Sequence, residues 1–187
     1  MALPRTDRLA EFWRLAADDP DTTWELWDGE LRAKASMSFE HGDIGPELAY
    51  LLRSQLDRAT WRLRVNHGRL PYTARNAFVP DLCVIPTSAG LDQAGHPGWA
   101  ERYPDPLPLV VEIWSRSTGG YDTRVKIAAY QARGDAEIWR IHPYERTLTR
   151  WLRQEDGSYA EFVHTGGTIT LAALPGVAID LDALFAE

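Results

Sequence analysis

The chain has 187 residues, of which 44% are apolar, 25% charged and 11% aromatic. This length suits one domain with its own core, and this composition excludes disordered, collagen-like and coiled-coil proteins. The net charge of −7 excludes a protein whose whole surface coats nucleic acid, but a local basic cleft remains compatible with it.

The cysteine count and the N-terminal sequence indicate the compartment. A single cysteine excludes a disulfide scaffold, and Cys83 lies in an apolar run where a free cysteine usually packs as a small hydrophobe. The N-terminus lacks an apolar signal core, and no run has the length needed to cross a bilayer. We therefore expect a cytoplasmic protein.

A β-hairpin is predicted near the N-terminus, where Asp28-Gly29 separates two short apolar runs. This dipeptide favours a type I′ turn, because both central positions need a positive φ. The turn pairs Leu26 with Leu31 on one face and Glu25 with Arg32 on the other. We expect the apolar face to point inward.

The remaining elements alternate between helical and strand-like segments. Pro46 is compatible with the second helix only in its first turn, and the proline-rich stretch 86–108 is a candidate lid loop. The predicted fold is a mixed β-sheet flanked by helices, with an N-terminal hairpin, in one α/β (α+β) domain over 1–187. The predicted helices are 9–17, 41–58, 121–133 and 181–185, and the predicted strands are 61–65, 78–85, 107–114, 138–141, 147–152 and 159–163.

Glu112 is the first candidate functional residue, because it interrupts an apolar run typical of a strand buried on both faces. A buried carboxylate needs compensation by a basic side chain, a raised pKa or a metal ion. Asp81 opens the preceding strand, so the two carboxylates meet if the strands are neighbours. Together with a backbone carbonyl, such as that of Ile113, and waters, they would suit Mg²⁺.

The helix after this strand carries Asp122, Lys126 and Tyr130 at positions i, i+4 and i+8, so they share one face. The simplest interpretation is a solvated Asp–Lys pair. The alternative is that this face adds polar groups to the carboxylate site.

Seven short motifs follow one another along the chain. They are WELWDGEL at 24–31, SFEH at 38–41, VPDL at 79–82, VVEIWS at 110–115, ST at 117–118, Asp122 with Lys126 and Tyr130, and EIW at 137–139. Together they resemble the motifs of the Uma-two family, a bacterial family classed with restriction endonucleases in the PD-(D/E)XK superfamily, and this resemblance implies a restriction-endonuclease-like mixed β-sheet between helices. It covers roughly residues 8–185, with the motifs in the order and spacing of the family.

The resemblance implies which residues form the active site. Asp81 is the acid of the "PD" half-motif, and Glu112 is the acid of the second half-motif. Trp114 stands where the superfamily has lysine, and we expect Lys126 to replace that lysine. Glu25 matches the upstream acidic position, where it would bind a second metal ion or position water, unless it only pairs with a surface arginine.

The implied chemistry is metal-dependent phosphodiester hydrolysis. Asp81 and Glu112 would hold Mg²⁺ or Mn²⁺, and Lys126 would orient the attacking water or stabilise the charged transition state. Four further residues are candidate substrate contacts, each with a structural alternative such as helix capping, core packing or solvent exposure. They are His41, Arg116, Asp122 and Tyr130.

The leading functional hypothesis is therefore an endonuclease that cleaves DNA. Because the chain is acidic, a homodimer would have to gather its arginines into one cleft to bind phosphates. The alternatives are a protein of the same fold that binds nucleic acid or a partner without cleaving, and a hydrolase of another phosphodiester. The arginines considered for the cleft are 53, 58, 62, 64, 69, 75, 124 and 133.

Overall fold

The computed structural model describes residues 7–34, 38–96, 98–115 and 119–186. Over these residues the helices are α1 (Arg8–Asp18), α2 (Phe39–Gln55), α3 (Thr87–Leu91), α4 (Gly119–Arg133) and α5 (Leu181–Leu184). The strands are β1 (Trp24–Trp27), β2 (Glu30–Ala33), β3 (Trp61–Val65), β4 (Leu70–Thr73), β5 (Asn76–Phe78), β6 (Leu82–Pro86), β7 (Leu109–Ile113), β8 (Glu137–His142), β9 (Thr147–Arg153), β10 (Tyr159–His164), β11 (Thr168–Thr170) and β12 (Ala178–Asp180).

The largest sheet has six strands in the order β10-β9-β8-β7-β6-β3, and it is mixed because β7 and β8 run parallel while the other neighbours are antiparallel. All five residues of β7 are buried, as its apolar sequence predicts for a central strand. Alternate residues of this strand face two different helices. Val111 packs in the cluster that contains Leu48 of α2, whereas Val110 packs in the cluster that contains Ile127 of α4. The predicted mixed sheet between helices is thus confirmed.

The N-terminal hairpin forms with the predicted register. Leu26 is opposite Leu31 and Glu25 is opposite Arg32, and both turn residues have a positive φ. The hairpin extends into a second sheet of order β2-β1-β5-β4, in which Leu26 pairs with Ala77. In β1 the last three residues are buried, and Trp27 packs in the same cluster as Val110 of the large sheet.

Several predicted boundaries were wrong. The predicted strand 78–85 divides into β5, which joins the hairpin sheet, and β6, which joins the large sheet. Val79-Pro80 separates them, since a proline has no N–H to donate to a ladder. The structure also contains β4, β11 and β12, which the sequence did not predict.

Two predictions about proline-containing segments were also wrong. Pro46 lies well inside α2, because Ser38 caps the helix and accepts from the N–H of His41. The buried side chains of Ile44 and Leu48 hold the helix on the core at either side of the proline. The stretch 86–108 is not a loop throughout, because it contains α3 and the buried Tyr103. That it covers a site stays a prediction.

Among the described residues, none of the helices combines the length and the apolar character needed to span a lipid bilayer.

Candidate active site

The register of β6 and β7 brings the two predicted acids together. Leu82 pairs with Val111, so Asp81 and Glu112 are opposite each other one step further along the two strands. The N–H of Ile113 donates to Oδ2 of Asp81 at 2.6 Å. Both carboxylates are buried, with 2% of Asp81 and 6% of Glu112 exposed.

Helix α4 adds a lysine and a tyrosine from the same face. Nζ of Lys126 lies 3.4 Å from Oε1 of Glu112, and the hydroxyl of Tyr130 donates to the same oxygen at 2.6 Å. Lys126 is buried, so the interpretation of a solvated Asp–Lys pair was wrong. The side chain of Asp122 and the whole of Arg116 are outside the described part of the structure.

Glu25 reaches this site from β1. Its Oε1 lies 2.7 Å from Nζ of Lys126 and accepts from the N–H of Val79 at 2.8 Å. Its Oε2 accepts from the indole N–H of Trp27 at 3.0 Å. The alternative of a surface pair was wrong, since Glu25 is buried and Arg32 pairs with Glu30 instead.

Asp81 is held by two cationic or potentially cationic side chains. Nζ of Lys34 lies 2.7 Å from its Oδ1, and Nε2 of His41 lies 3.1 Å from its Oδ2. The side chain of His41 therefore does more than bond its own helix end. Among the described residues no partner satisfies Nδ1 of this histidine, which is buried.

Lys34 is the site residue that the sequence analysis missed. It lies just after β2, where a lysine is usually solvated, so its local sequence gives no signal. The composition does give a signal, because only two of the 20 basic residues are lysines, Lys34 and Lys126. Both of them bind the carboxylates of this site.

The pKa values of the two acids, Asp81 and Glu112, are shifted in opposite directions. Burial raises the pKa of Glu112 to about 7, even though Lys126 opposes this shift. Burial would also raise the pKa of Asp81, but Lys34 and His41 outweigh it and hold that pKa well below its usual range. The carboxylates of Glu112 and Glu25 raise the pKa of Lys126 against the effect of burial, so its ammonium stays charged.

The donor set matches a hard divalent cation in kind, because Mg²⁺ prefers carboxylate and carbonyl oxygens and keeps several waters. The geometry is that of ion pairs, however. Within the described ranges, no three His, Cys, Asp or Glu side chains are grouped as a metal site. The arrangement therefore offers two adjacent carboxylates, of which Asp81 is paired with Lys34 and Glu112 shares Lys126 with Glu25.

Comparison with known proteins identifies the family. The sequence pattern of Uma2, described as "Putative restriction endonuclease", matches residues 9–182. The chain belongs to the Uma2 family. Its resemblance to this family, inferred above from the motifs, is thereby confirmed.

The fold of this Uma2 protein is also similar to a crystal structure from Anabaena variabilis ATCC 29413, described as a "putative nuclease belonging to DUF820". The two share 18% identity and a TM-score of 0.71, over 87% of this chain and 89% of that chain. No curated protein matches the sequence. The family and the fold support a nuclease function in general terms.

Proposed function

We propose that this Uma2 protein is a divalent-metal-dependent endonuclease that hydrolyses phosphodiester bonds of DNA. The observation that carries the proposal is the position of Lys126, whose ammonium reaches Glu112 and Glu25 from α4. A lysine beside the acid of the second half-motif is thus present even though Trp114 occupies the usual lysine position.

In this proposal Asp81 and Glu112, with the carbonyl of Ile113, would hold Mg²⁺ or Mn²⁺. Such an ion neutralises phosphate charge and lowers the pKa of a bound water. The oxygen donors and their burial support this assignment.

The other side chains have roles that follow from their contacts. Lys126 would carry positive charge to the phosphate or orient the attacking water. Glu25 positions Lys126 by a direct ion pair, and Tyr130 positions Glu112 by a hydrogen bond. His41 is proposed to orient Asp81 and stays a candidate substrate contact, as do Asp122 and Arg116. Tyr130 is wholly buried, so it is proposed to act through Glu112 rather than to touch substrate.

We also propose that the enzyme works as a homodimer in the cytoplasm. The support is an analogy with restriction-type folds, which often act as dimers. The measurement that checks the oligomeric state is sedimentation equilibrium of the full chain.

One observation favours the alternative of a non-cleaving binding protein. Both carboxylates already have an ammonium partner within 3.4 Å without a metal ion, although Glu112 shares Lys126 with Glu25. An ion would have to compete with Lys34 for Asp81.

The decisive experiment measures cleavage of supercoiled plasmid, linear duplex, single-stranded DNA and RNA with Mg²⁺ or Mn²⁺. The variants are Asp81→Asn and Glu112→Gln. The matched control is Asp135→Asn, because Asp135 is also buried and paired with a cation, Arg133, at 3.1 Å. Its other carboxylate oxygen accepts from the N–H of Leu107, away from the site. Circular dichroism verifies that every variant is folded.

The proposal predicts metal-dependent cleavage of DNA by the wild type and the control, and at least about 100-fold less by either site variant. No cleavage by any form, or equal cleavage by all of them, would contradict it and favour the binding role. Preference for RNA would retain the nuclease and overturn the assigned substrate.

A further inference from the structure

Four arginines line one small cavity at the open edge of the six-stranded sheet. The cavity has a volume of about 130 Å³, and β3, which forms part of it, pairs with β6 on one side only. No acidic side chain is among the described residues that line it. The lining residues are Arg53, Leu56, Arg58, Trp61, Arg62, Leu63 and Arg64.

The local sequence brings the four arginines to the same edge of the sheet. Arg53 lies in the last turn of α2, and Arg58 follows in the connection to β3. Arg62 and Arg64 are two residues apart on β3, so their side chains leave the same face of the strand. Leu63 and Trp61 point the other way and pack against the core cluster under α2.

Only one of the four arginines already has a counter-charge among the described residues. Arg64 donates to Glu101 at 2.6 Å, to the hydroxyl of Tyr103 at 3.2 Å and to the carbonyl of Leu63 at 3.3 Å. Arg53, Arg58 and Arg62 form no ion pair with any described residue, although the chain has 27 acidic residues against 20 basic ones. Like charges brought together repel each other, so an external anion would stabilise this arrangement.

We propose that this arginine cluster binds a phosphate group, separately from the carboxylate site. Arginine presents a planar fork of donors that matches phosphate oxygens. The cavity of about 130 Å³ has room for a phosphate group.

The phosphate comes either from a nucleic-acid backbone or from free phosphate, and the backbone assignment rests on the proposed nuclease function. In the β3–β6 pair, Arg62 lies opposite Ile85, and Val65 lies opposite Leu82 beside the active-site Asp81. Ile85 is four positions along the chain from Asp81, which is roughly 13 Å at about 3.3 Å per residue. A backbone phosphate in the cluster would therefore be a few nucleotides away from the bond that is cleaved.

The test compares two double variants of the full chain. Arg53→Ala/Arg58→Ala removes two exposed arginines of the cluster, and Arg8→Ala/Arg14→Ala removes two arginines of α1 with the same change in net charge. Binding of a short fluorescent DNA duplex is measured in EDTA over a range of KCl concentrations. Calorimetry with inorganic phosphate and pyrophosphate forms the second arm.

If backbone phosphates bind here, the slope of log K against log salt becomes shallower by up to about 0.9 for each phosphate that the protein no longer neutralises, so by up to about 2 in the cluster variant only. Arginine-dependent binding of pyrophosphate without any change in duplex binding would support the phosphate site and assign it to free phosphate. Equal behaviour of both variants in both arms would overturn the inference.

The test of the phosphate site and the test of the proposed nuclease can fail independently of each other. Loss of cleavage in Glu112→Gln with an unaltered cluster variant would overturn only the phosphate site. A cluster-dependent slope with no cleavage by any form would overturn only the nuclease.

Discussion

The ammonium group of Lys126 lies 2.7 Å from Oε1 of Glu25, although one residue belongs to α4 and the other to the N-terminal hairpin. This ion pair connects the hairpin sheet to the helix that covers the large sheet. Both side chains are buried, so the pair is shielded from solvent and each charge depends on the other.

We first predict that Lys126→Met destabilises the fold by about 3–5 kcal/mol, because it leaves the Glu25 carboxylate buried without its cation. Adding Glu25→Gln to this variant should recover part of the loss. The measurement is a double-mutant cycle from urea unfolding. If the loss of stability in the double variant equals the sum of the losses in the two single variants, the two residues are not directly coupled.

The second prediction concerns the pH dependence of stability in the metal-free protein. Burial raises the pKa of Glu112 to about 7 from its usual 4.5. Between these values the folded chain keeps a proton that the unfolded chain has released, so the free energy of unfolding falls as pH rises. Glu112→Gln cannot ionise and should lose less stability over this range.

The corresponding measurement is urea unfolding in EDTA at about pH 5 and about pH 8. We expect the difference between Glu112→Gln and wild type to shift in favour of the variant by on the order of 1–3 kcal/mol across this interval. Burial also raises the pKa of Asp135, so the Asp135→Asn protein shows how the removal of a different buried carboxylate changes the profile. Parallel profiles for wild type and Glu112→Gln would show that Glu112 ionises as it does in water.

The third prediction concerns Lys34. Because Lys34 and His41 hold the pKa of Asp81 below its usual 3.8, the stabilisation from this carboxylate is complete above that pH and is lost as pH falls below it. Lys34→Met should therefore cost about 3 kcal/mol near neutral pH. Its difference from wild type should narrow as Asp81 becomes protonated in acid.

The control for this variant is Arg32→Met, since Arg32 is half-exposed and pairs with Glu30 on the outer strand of the hairpin. We expect that change to stay within about 1 kcal/mol. Urea midpoints at neutral and acidic pH give both values. Similar costs for the two variants would mean that the Lys34–Asp81 pair contributes no more than a surface pair.

The elements that the sequence predicted well are those with a strong local signal. Asp28-Gly29 determines the turn, and a two-residue turn fixes every pair of the hairpin register. The apolar run of β7 marks the central strand, and Gly134, with a φ of +85°, ends α4 where predicted. From these elements and the two half-motifs, Asp81, Glu112 and Lys126 could be brought together.

The parts that were missed depend on contacts between distant segments. The start of β4 needs Leu70 opposite Phe78, and the pair β11–β12 is only three residues long. Likewise, the hairpin register placed Glu25 opposite Arg32, but pairing does not reveal which face another sheet will cover. Burial of Glu25 and recruitment of Lys34 follow from how the two sheets pack, which no local pattern encodes.

The fourth prediction tests that packing at Gly68. A Cβ at this position would lie 2.7 Å from Sγ of Cys83, which is buried in β6. Gly68→Ala should therefore destabilise the fold by about 1–3 kcal/mol. Cys83→Ala removes the sulfur, so the double variant should cost less than the sum of the single ones.

Thermal unfolding of the four proteins checks this cycle. If Gly68→Ala lowers the stability equally with and without the sulfur, contact with Cys83 is not the reason that position 68 disfavours a side chain.

The scarcity of lysine in this chain has a practical consequence for spectroscopy. Lys34 and Lys126 are the only lysines of the sequence. A lysine-selective nitrogen label on the side chain therefore introduces one probe beside Asp81 and one beside Glu112. Side-chain ammonium resonances are visible when burial slows their proton exchange with water, and both groups are buried or nearly so. The two halves of the site can thus be monitored separately by nuclear magnetic resonance in the unmodified sequence.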